Sequence, residues 1–528
     1  MPRQALSPLP RWALALALLA GCGGAAPPPA PVAKVTQPAP SAAPPEASAT
    51  VAPREEPPPS GPAKAVHAPK IVWSELTSGL RVGTVASPTA PLVQIRVVVL
   101  GGTAADGERP GTAALTGEML AAGGSGALSG RDLAAKIESL GARLAIETGL
   151  DSTVLALSTP REHLAEVLDL LATVVGRPQW SARELDSAKK RAVEREQRLA
   201  HSSPAWAASM VLYRDLFSLP ADIHPYAVYD ALPDEIAKLS AADCRALYRR
   251  MFVPKNTLVM VTGDVPPDAV KAAVDKAFAG YRGGEPAVIS FTDPMAPESL
   301  KITLVDMPKS AESAIYVGAL GPERGDASFA AFTALNQVLG GGASGRLQRD
   351  LHDSRGLAVS AGSSVVDFAH GPSLIIAHAE AKAAKTGLAL QALLEHLARA
   401  GKSAPDDDEI EAARRALAGG LALRLETTTA VADLMARQKA LDLPDDALDA
   451  YAKELAEVTA PLALKAGSEA LRPGHQIVVV AGDAQAIGGM LSHFGDVKVL
   501  DPAKGFERSR TLRANDTAPL EPAREASP

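Results

Sequence analysis

A stretch near the middle of the chain is almost repeated 219 residues further on. Phe252–Asp264, an apolar run closed by Gly-Asp, matches Leu471–Asp483. The same separation pairs Val98 with Val317, Leu120 with Leu339, and Leu155–Leu157 with Leu374–Ile376. Because chance matches would scatter over many separations, one constant separation indicates an internal duplication. The chain is therefore expected to fold as two copies of one unit of about 215 residues, a size that suits a single domain.

The pattern within one copy mixes strands with helices. Leu92–Leu100 is rich in β-branched residues, which predicts a strand. Apolar residues at helical spacing predict a helix over Thr112–Ala122. The other predicted elements of the first copy are strands near Arg143–Glu147, Ser152–Ser158 and Leu258–Thr262, and helices near Glu162–Val175 and Ala182–Ala200. We therefore predict an α+β fold of two homologous domains, each an antiparallel-rich sheet packed with helices.

Changes in composition give the predicted domain bounds. The two domains occupy residues 71–285 and 301–505, with a Gly/Pro-rich linker at 286–300 and a polar, disordered tail at 506–528. Residues 23–70 contain 14 prolines and no Phe, Trp or Tyr, so they cannot bury enough apolar surface to fold. Residues 22–70 are accordingly predicted to be an extended tether.

The N-terminus has the features of a lipoprotein signal peptide. Arg3 and Arg11 precede a short apolar run that ends in Leu-Ala-Gly-Cys22, which looks like a bacterial lipobox. Residues 1–21 would be removed and Cys22 acylated, so the protein would be anchored in the cell envelope, on the periplasmic face of the outer membrane of a Gram-negative bacterium. The alternative is an ordinary signal peptide with an incidental cysteine.

Charge and cysteine content exclude several classes of protein. The net charge is −7, and −9 after removal of residues 1–21, so a dedicated nucleic-acid binder is not expected. Two cysteines in 528 residues cannot form a disulfide scaffold or a Cys-rich metal cluster. Cys244, the second of them, is interpreted as a small core residue.

The order of motifs resembles one peptidase family. The first copy contains Ser-Gly-Leu-Arg-Val, then "GTAALTGEML", "SLGARL", His224-Pro-Tyr226 and "VPKNTLVMVTGD". The second contains "LGGGASGRLQRDLHDSRGLAVS". Together they resemble the pitrilysin/insulinase metallopeptidases, especially the bacterial branch that is similar to the mitochondrial processing peptidase. The resemblance covers about 435 residues of the chain and implies two metallopeptidase-like domains.

The zinc motif of that family is degenerate in this chain. The family carries His-x-x-Glu-His on the first helix, with a Glu far downstream as a further ligand. The matching positions hold Ala114, Gly117 and Glu118, so both His positions and the base position are changed. Glu194, 76 residues after Glu118, stands at the spacing that the resemblance implies for the downstream ligand. Since zinc prefers imidazole and thiolate, no zinc and no other cofactor is expected here, and Glu194 is either vestigial or a solvated helix residue.

Metal and nucleophile motifs elsewhere are also lacking. No two of the ten histidines have the spacing of three to five residues typical of a helical zinc motif. His163 and His396 each complete half of such a motif and are interpreted as structural. The sequence contains neither a Gly-x-Ser-x-Gly elbow nor a P-loop.

The second copy retains part of a substrate-binding segment. The resemblance implies that Arg346 and a Tyr help to hold the peptide carbonyl, but the Tyr position is Val359. Arg346 is therefore expected either to bind substrate or to pair with Asp350, one helical turn away. Gly341, Gly342 and Ser344 would leave backbone amides open for an extended peptide, or would form an ordinary flexible turn.

Three hypotheses follow for the function. In the first, the protein is a non-catalytic subunit that binds extended peptides and forms a heterodimer with a homologue that carries the intact zinc motif. In the second, it is a free-standing zinc metalloendopeptidase, which would need zinc of its own. In the third, it is an inert peptide-binding or scaffolding lipoprotein, since the loss of Tyr at Val359 erodes the subunit role as well.

Overall fold

The computed structural model describes residues 67–88, 90–219 and 224–515. The predicted signal peptide, Cys22 and residues 22–66 of the predicted tether lie outside the described residues. The backbone N–H of Ala68 donates to Asp449 at 2.9 Å, so the folded part begins slightly before the predicted bound at residue 71.

The first copy builds a six-stranded sheet. Its strands are β1 Val72–Glu75, β2 Arg81–Ala86, β3 Leu92–Leu100, β4 Arg143–Thr148, β5 Ser152–Pro160 and β6 Thr257–Gly263. Its helices are α1 Thr112–Ala122, α2 Gly130–Ser139, α3 Leu164–Gly176, α4 Ala182–Ser202, α5 Pro204–Leu216, α6 Pro233–Lys238, α7 Ala241–Met251 and α8 Pro267–Ala277. The strand order is β1-β2-β6-β3-β5-β4, antiparallel except for the pair β2 and β6.

The second copy repeats this plan in a seven-stranded sheet. Its strands are β7 Lys301–Asp306, β8 Glu312–Glu323, β9 Ser360–Val366, β10 Pro372–Lys382, β11 Ile477–Gly482, β12 Val497–Asp501 and β13 Glu507–Leu512. Its helices are α9 Phe329–Leu339, α10 Thr386–Ala400, α11 Asp407–Arg424, α12 Thr428–Ala440, α13 Ala447–Glu457, α14 Ala460–Ala470 and α15 Ala484–Ser492, with a π-helical segment at Gln348–Ser354. The order β13-β12-β7-β11-β8-β10-β9 confirms the duplication and the predicted α+β fold.

The separation between the copies is not constant at 219. In β6 and β11 it holds, because Val259 and Val478 both face the helices of their own copy. In β3 and β8 it fails by one residue, since Val317 faces its own helices whereas Val98 faces the opposite side of its sheet. One residue more or less moves a strand side chain to the other face, so structural equivalence requires a separation of 220 in these strands.

Each sheet is covered on one face by a helix from the other copy. α5 belongs to the first copy but packs on β8 and β11 of the second sheet. α12 belongs to the second copy but packs on β3 and β6 of the first sheet. Arg96 of β3 secures the second contact, because its buried Nε lies 2.7 Å from Asp433 of α12. The two copies are therefore joined by a reciprocal exchange of helices.

The linker and the tail differ in how well they were predicted. Residues 286–300 contain no helix or strand until the approach to β7, as expected for a linker, although Phe291 packs beside Tyr226 with ring centroids 5.1 Å apart. The prediction that residues 506–528 are disordered is wrong for Glu507–Leu512, which pairs antiparallel with β12. The edge strand β13 is mostly polar and exposed, so its sequence lacks the apolar alternation that reveals a strand.

Candidate functional site

The helix α1 carries the degenerate motif and is fixed at its N-terminus by a buried carboxyl group. The Asp106 carboxyl oxygens accept from the backbone N–H of Gly111 at 2.7 Å and of Ala113 at 2.6 Å. These bonds satisfy N–H groups that the first turn of a helix leaves without an intrahelical partner. Gly111 has φ +87, and a Cβ there would lie 2.8 Å from Ala231, so only glycine suits the entry to the helix.

Asp106 predicts a pH dependence of folding. Burial raises the pKa of the carboxyl group from 3.8 to about 7. A carboxyl group whose pKa is higher in the folded state favours folding when protonated, so its contribution is complete below pH 4 and is lost as the pH rises towards 7. We expect the free energy of unfolding to fall by on the order of 3 kcal/mol over this interval through Asp106 alone. Denaturation of Asp106→Asn between pH 4 and 7 should show a flatter profile, and an unchanged profile would contradict this assignment.

The three motif positions lie where α1 meets β4 and α4. Ala114 and Glu118 are half-buried and one turn apart on one side of α1, whereas Gly117 is buried. A Cβ at Gly117 would lie 2.7 Å from Thr148 Oγ1 at the end of β4. Thr148 would have to move before any side chain could occupy the base position, so the site is closed to a glutamate in its present packing.

The carboxylate of Glu118 is neutralised by two arginines of α4. Arg195 Nη1 lies 3.5 Å from Glu118 Oε1, and Arg191 Nη2 lies 3.6 Å from Glu118 Oε2. Arg195 also donates through Nε and Nη2 to Glu196 Oε1 at 2.8 Å, and the Glu196 side chain is only 1% exposed. Two guanidinium groups and two carboxylates thus form one cluster between α1 and α4.

Glu194, the predicted vestigial ligand, does not join this cluster. Its side chain is 56% exposed and lies 3.9 Å from Lys190 on the same helix. Arg195, one position later on α4, approaches Glu118 instead, as does Arg191 one turn before it. Because successive helix residues point about 100° apart, an error of one residue in the spacing is enough to choose the wrong side chain. Glu194 therefore faces solvent beside Lys190, without a described contact to Glu118.

The residues at this site do not fit zinc. Ala114 and Gly117 offer no donor atom, and a guanidinium group stands where a third ligand would be needed beside Glu118. Among the described residues, no group of three or more His, Cys, Asp or Glu side chains is placed to hold a metal ion.

The outer edge of β4 exposes a row of backbone hydrogen-bonding groups beside this cluster. Within the described residues β4 pairs only with β5. Gly149 N donates to Ser152 O at 2.8 Å, and antiparallel pairs alternate between bonded and non-bonded types. The N–H and C=O groups of Leu144, Ile146 and Thr148 consequently point away from β5. An extended peptide could pair with this edge as an additional strand.

The corresponding edge of the second sheet is partly covered. Ser363 N of β9 donates to Gly340 O at 2.8 Å, and Ala361 N donates to Gln348 Oε1 at 3.0 Å. A Cβ at Gly340 would lie 2.6 Å from Ser363 N, so the glycine permits this close approach of the two backbones. The two copies therefore differ at this edge: that of β4 has no strand partner beyond β5 among the described residues, whereas that of β9 is partly covered.

Arg346 is engaged by a partner that the sequence did not suggest. It forms a two-point ion pair with Glu409 at the start of α11, with Nε to Oε1 at 2.9 Å and Nη2 to Oε2. Hydrogen bonding to Arg346 lowers the pKa of Glu409. The expected pairing with Asp350 is wrong, because Asp350 instead contacts His396 Nε2 at 2.9 Å.

The predicted amide-rich loop is accessible. Gly341, Gly342 and Ser344 are exposed between α9 and the π-helical segment. Peptide binding by this loop and a simple turn both stay predictions. Val359, where the resemblance implies a Tyr, is 43% exposed.

The remaining predicted structural residues behave as expected. Cys244 is fully buried in a small cluster with Leu115 and Met119, and burial raises the pKa of its thiol to about 11. His396 is largely buried in α10, and His163 lies at the N-terminal boundary of α3. The residues that sequence reasoning missed are Arg191, Arg195 and Thr148. The glutamate at position 118, where the family has a histidine, was a signal that could have indicated the arginines. A half-buried carboxylate favours a cation nearby.

Profiles of one peptidase family match most of the duplicated region. Residues 81–221 match the family described as insulinase (peptidase family M16), and residues 238–417 match the domain described as the peptidase M16 inactive domain. The chain belongs to the insulinase-type peptidase family, M16. The resemblance inferred from the motifs is thereby confirmed at the level of the family.

Individual proteins are similar to this chain over most of its length. An uncharacterized zinc protease of Mycobacterium bovis is 26% identical over 359 residues, which cover 67% of this chain and 80% of that protein. The crystal structure of a peptidase M16 inactive domain from Pseudomonas fluorescens has a TM-score of 0.73 at 24% identity, covering 79% and 99% of the two chains. A protease from Helicobacter pylori has a TM-score of 0.70 at 19% identity, covering 79% and 100%. The structures establish the M16 fold.

Proposed function

We propose that this M16 protein is a non-catalytic subunit that binds extended peptides and pairs with a zinc-bearing homologue for proteolysis. The observation that carries the proposal is the arginine cluster at Glu118: motif positions 114 and 117 hold neither ligand nor base, and the remaining carboxylate is paired with two arginines. The open edge of β4 beside that cluster supports retention of peptide binding. A non-catalytic subunit is expected to lack the metal site and to keep the strand edge that binds peptide.

The location of the protein is also part of the proposal. Lipidation at Cys22 would tether the folded part to the envelope membrane through the Pro-rich residues that follow. Within the described ranges, no helix is both long and apolar enough to cross a bilayer. Unfolded polypeptides of the periplasm would be the substrates of the heterodimer.

Peptide binding at β4 is tested by a pair of matched proline variants. Ile146→Pro removes an N–H group that points outward, and we expect it to weaken binding of a fluorescein-labelled, amidated 12-residue Val/Thr peptide by about tenfold, because a strand pairs through these groups. Val365→Pro is the control at an outward position of β9, and we expect little effect because that edge is already partly covered. Fluorescence anisotropy measures both, with circular dichroism to verify folding. Equal effects of folded variants would remove the support for β4 as the binding edge.

A second candidate function is an inert binding or scaffolding lipoprotein. The observation in its favour is that Arg346 is held by Glu409 and that position 359 lacks a phenol, so the substrate-holding pair implied by the family is not available. This candidate also predicts peptide binding, but it predicts that the protein leaves the turnover of a zinc-bearing homologue unchanged.

A further inference from the structure

The arginine cluster lies beside the path that a peptide on β4 would take. Thr148, the last residue of β4, lies against α1. Its Oγ1 is 3.5 Å from Ala113 O, and a Cβ placed on Gly117 would be 2.7 Å from the same oxygen. Ala114 and Glu118 follow these two residues directly on α1. A strand added outside β4 would run past Thr148 towards the half-exposed side of α1, where Glu118 lies beside the two arginines of α4.

Both arginines retain hydrogen-bonding capacity at this position. The distances of 3.5 Å and 3.6 Å to Glu118 exceed the normal N–H···O range of about 2.7–3.2 Å. Arg195 commits Nε and Nη2 to Glu196, which leaves Nη1 directed to the Glu118 side. Arg191 is 55% exposed and Arg195 is 38% exposed, so a ligand can reach both guanidinium groups.

The charge of the cluster selects the type of ligand. Arg191 and Arg195 are balanced by the carboxylates of Glu118 and Glu196, so the cluster has no net positive charge to attract an anion. A neutral acceptor, the carbonyl group of a peptide bond, can accept a charge-assisted hydrogen bond here without a second repelling carboxylate.

We propose that Arg191 and Arg195 bind a main-chain carbonyl of an extended peptide paired with β4. This inference rests on the proposed peptide-binding function. The guanidinium groups would hold the peptide at the place where the degenerate motif lies, without activating water for its hydrolysis. The chain would then determine the register of the peptide along β4 in addition to binding it.

The test uses the labelled, amidated 12-residue peptide and three glutamine variants. Charge-assisted hydrogen bonds are worth about 1.5–3 kcal/mol, so Arg191→Gln and Arg195→Gln should each weaken binding about ten- to a hundredfold. Glu194→Gln is the control, because Glu194 lies on the same helix but pairs with Lys190, and its affinity should be unchanged. If Arg195→Gln does not fold because buried Glu196 loses its ion pair, Arg191→Gln alone decides the test.

A thioamide scan of the same peptide identifies the carbonyl group. Sulfur is a weaker acceptor than oxygen, so one thioamide position should weaken binding to the native chain and have no effect in Arg191→Gln. Unchanged affinity of folded Arg191→Gln, while Ile146→Pro still weakens binding, would overturn this inference and leave the proposed function standing. Tighter binding of the free-acid peptide, lost in Arg191→Gln, would also overturn it, because the cluster would then be a carboxylate site.

Discussion

Replacing Ala114 and Glu118 by His and Arg195 by Glu is expected to create a zinc site. The two imidazoles would lie one turn apart on α1, and the new carboxylate would stand where Arg195 now approaches Glu118. We expect about one zinc ion per chain after dialysis against a micromolar zinc buffer, compared with none for the native chain. Elemental analysis and calorimetric titration measure the gain.

The matched control keeps Arg195. In the double variant Ala114→His/Glu118→His, the native Glu194 is the nearest carboxylate in sequence, but it is directed to Lys190 and solvent. We expect no stoichiometric zinc binding by this variant. Tight binding by the double variant would mean that Glu194 can supply a third ligand and that the arrangement of α4 described here is wrong. Neither variant should hydrolyse peptides, because Gly117 still provides no base.

Removing the carboxylate of Asp433 is expected to destabilise the contact between the two copies. The Arg96 side chain is 4% exposed and would lose its ion pair with Asp433. It would keep the electrostatic attraction of Glu147 and the bond from its Nη1 to Ile95 O. A broken buried pair costs about 3–5 kcal/mol, and partial exposure of Asp433 reduces the expected loss for Asp433→Ala to about 1–3 kcal/mol. Urea denaturation of the native chain and the variant measures the difference.

A double-mutant cycle separates the ion pair from the packing of α12. Arg96→Met removes the buried charge, so Arg96→Met/Asp433→Ala should be more stable than Asp433→Ala alone. Additive losses in the two single variants would show that the pair makes no coupled contribution. In that case the exchange of helices would depend on apolar contacts, such as those of Val431 and Met435 with the first sheet.

The local elements of the fold could be predicted from sequence because their apolar periods are strong. The strand Leu92–Leu100 and the helix Thr112–Ala122 have the predicted bounds. The exchange of α5 and α12 could not be predicted, because an apolar helix face does not specify which sheet it covers. The partial cover of the β9 edge could not be predicted either, since it depends on a backbone contact with Gly340, which precedes β9 in a separate loop.

At the candidate site, the loss of the zinc ligands could be predicted from sequence, but the contacts that now occupy their place could not. Ala114 and Gly117 follow from alignment with the motif, and the structure adds that Thr148 occupies the space beside Gly117. Arg195 was missed because spacing was counted along the chain, whereas the pairing with Glu118 depends on the rotation of α4 against α1. Arg346 was predicted to bind substrate or to pair with Asp350, whereas its partner Glu409 lies on a separate helix, distant in sequence.

The central claim is that the chain holds peptides but does not cut them. The most direct measurement is hydrolysis of a fluorescence-quenched peptide by the purified chain, alone and with a homologue from the same organism that carries an intact His-x-x-Glu-His helix. We predict no hydrolysis by the chain alone with zinc present, and hydrolysis by the pair that is lost when the Glu of the homologue is changed to Gln. Chelator-sensitive hydrolysis by the chain alone would contradict the account.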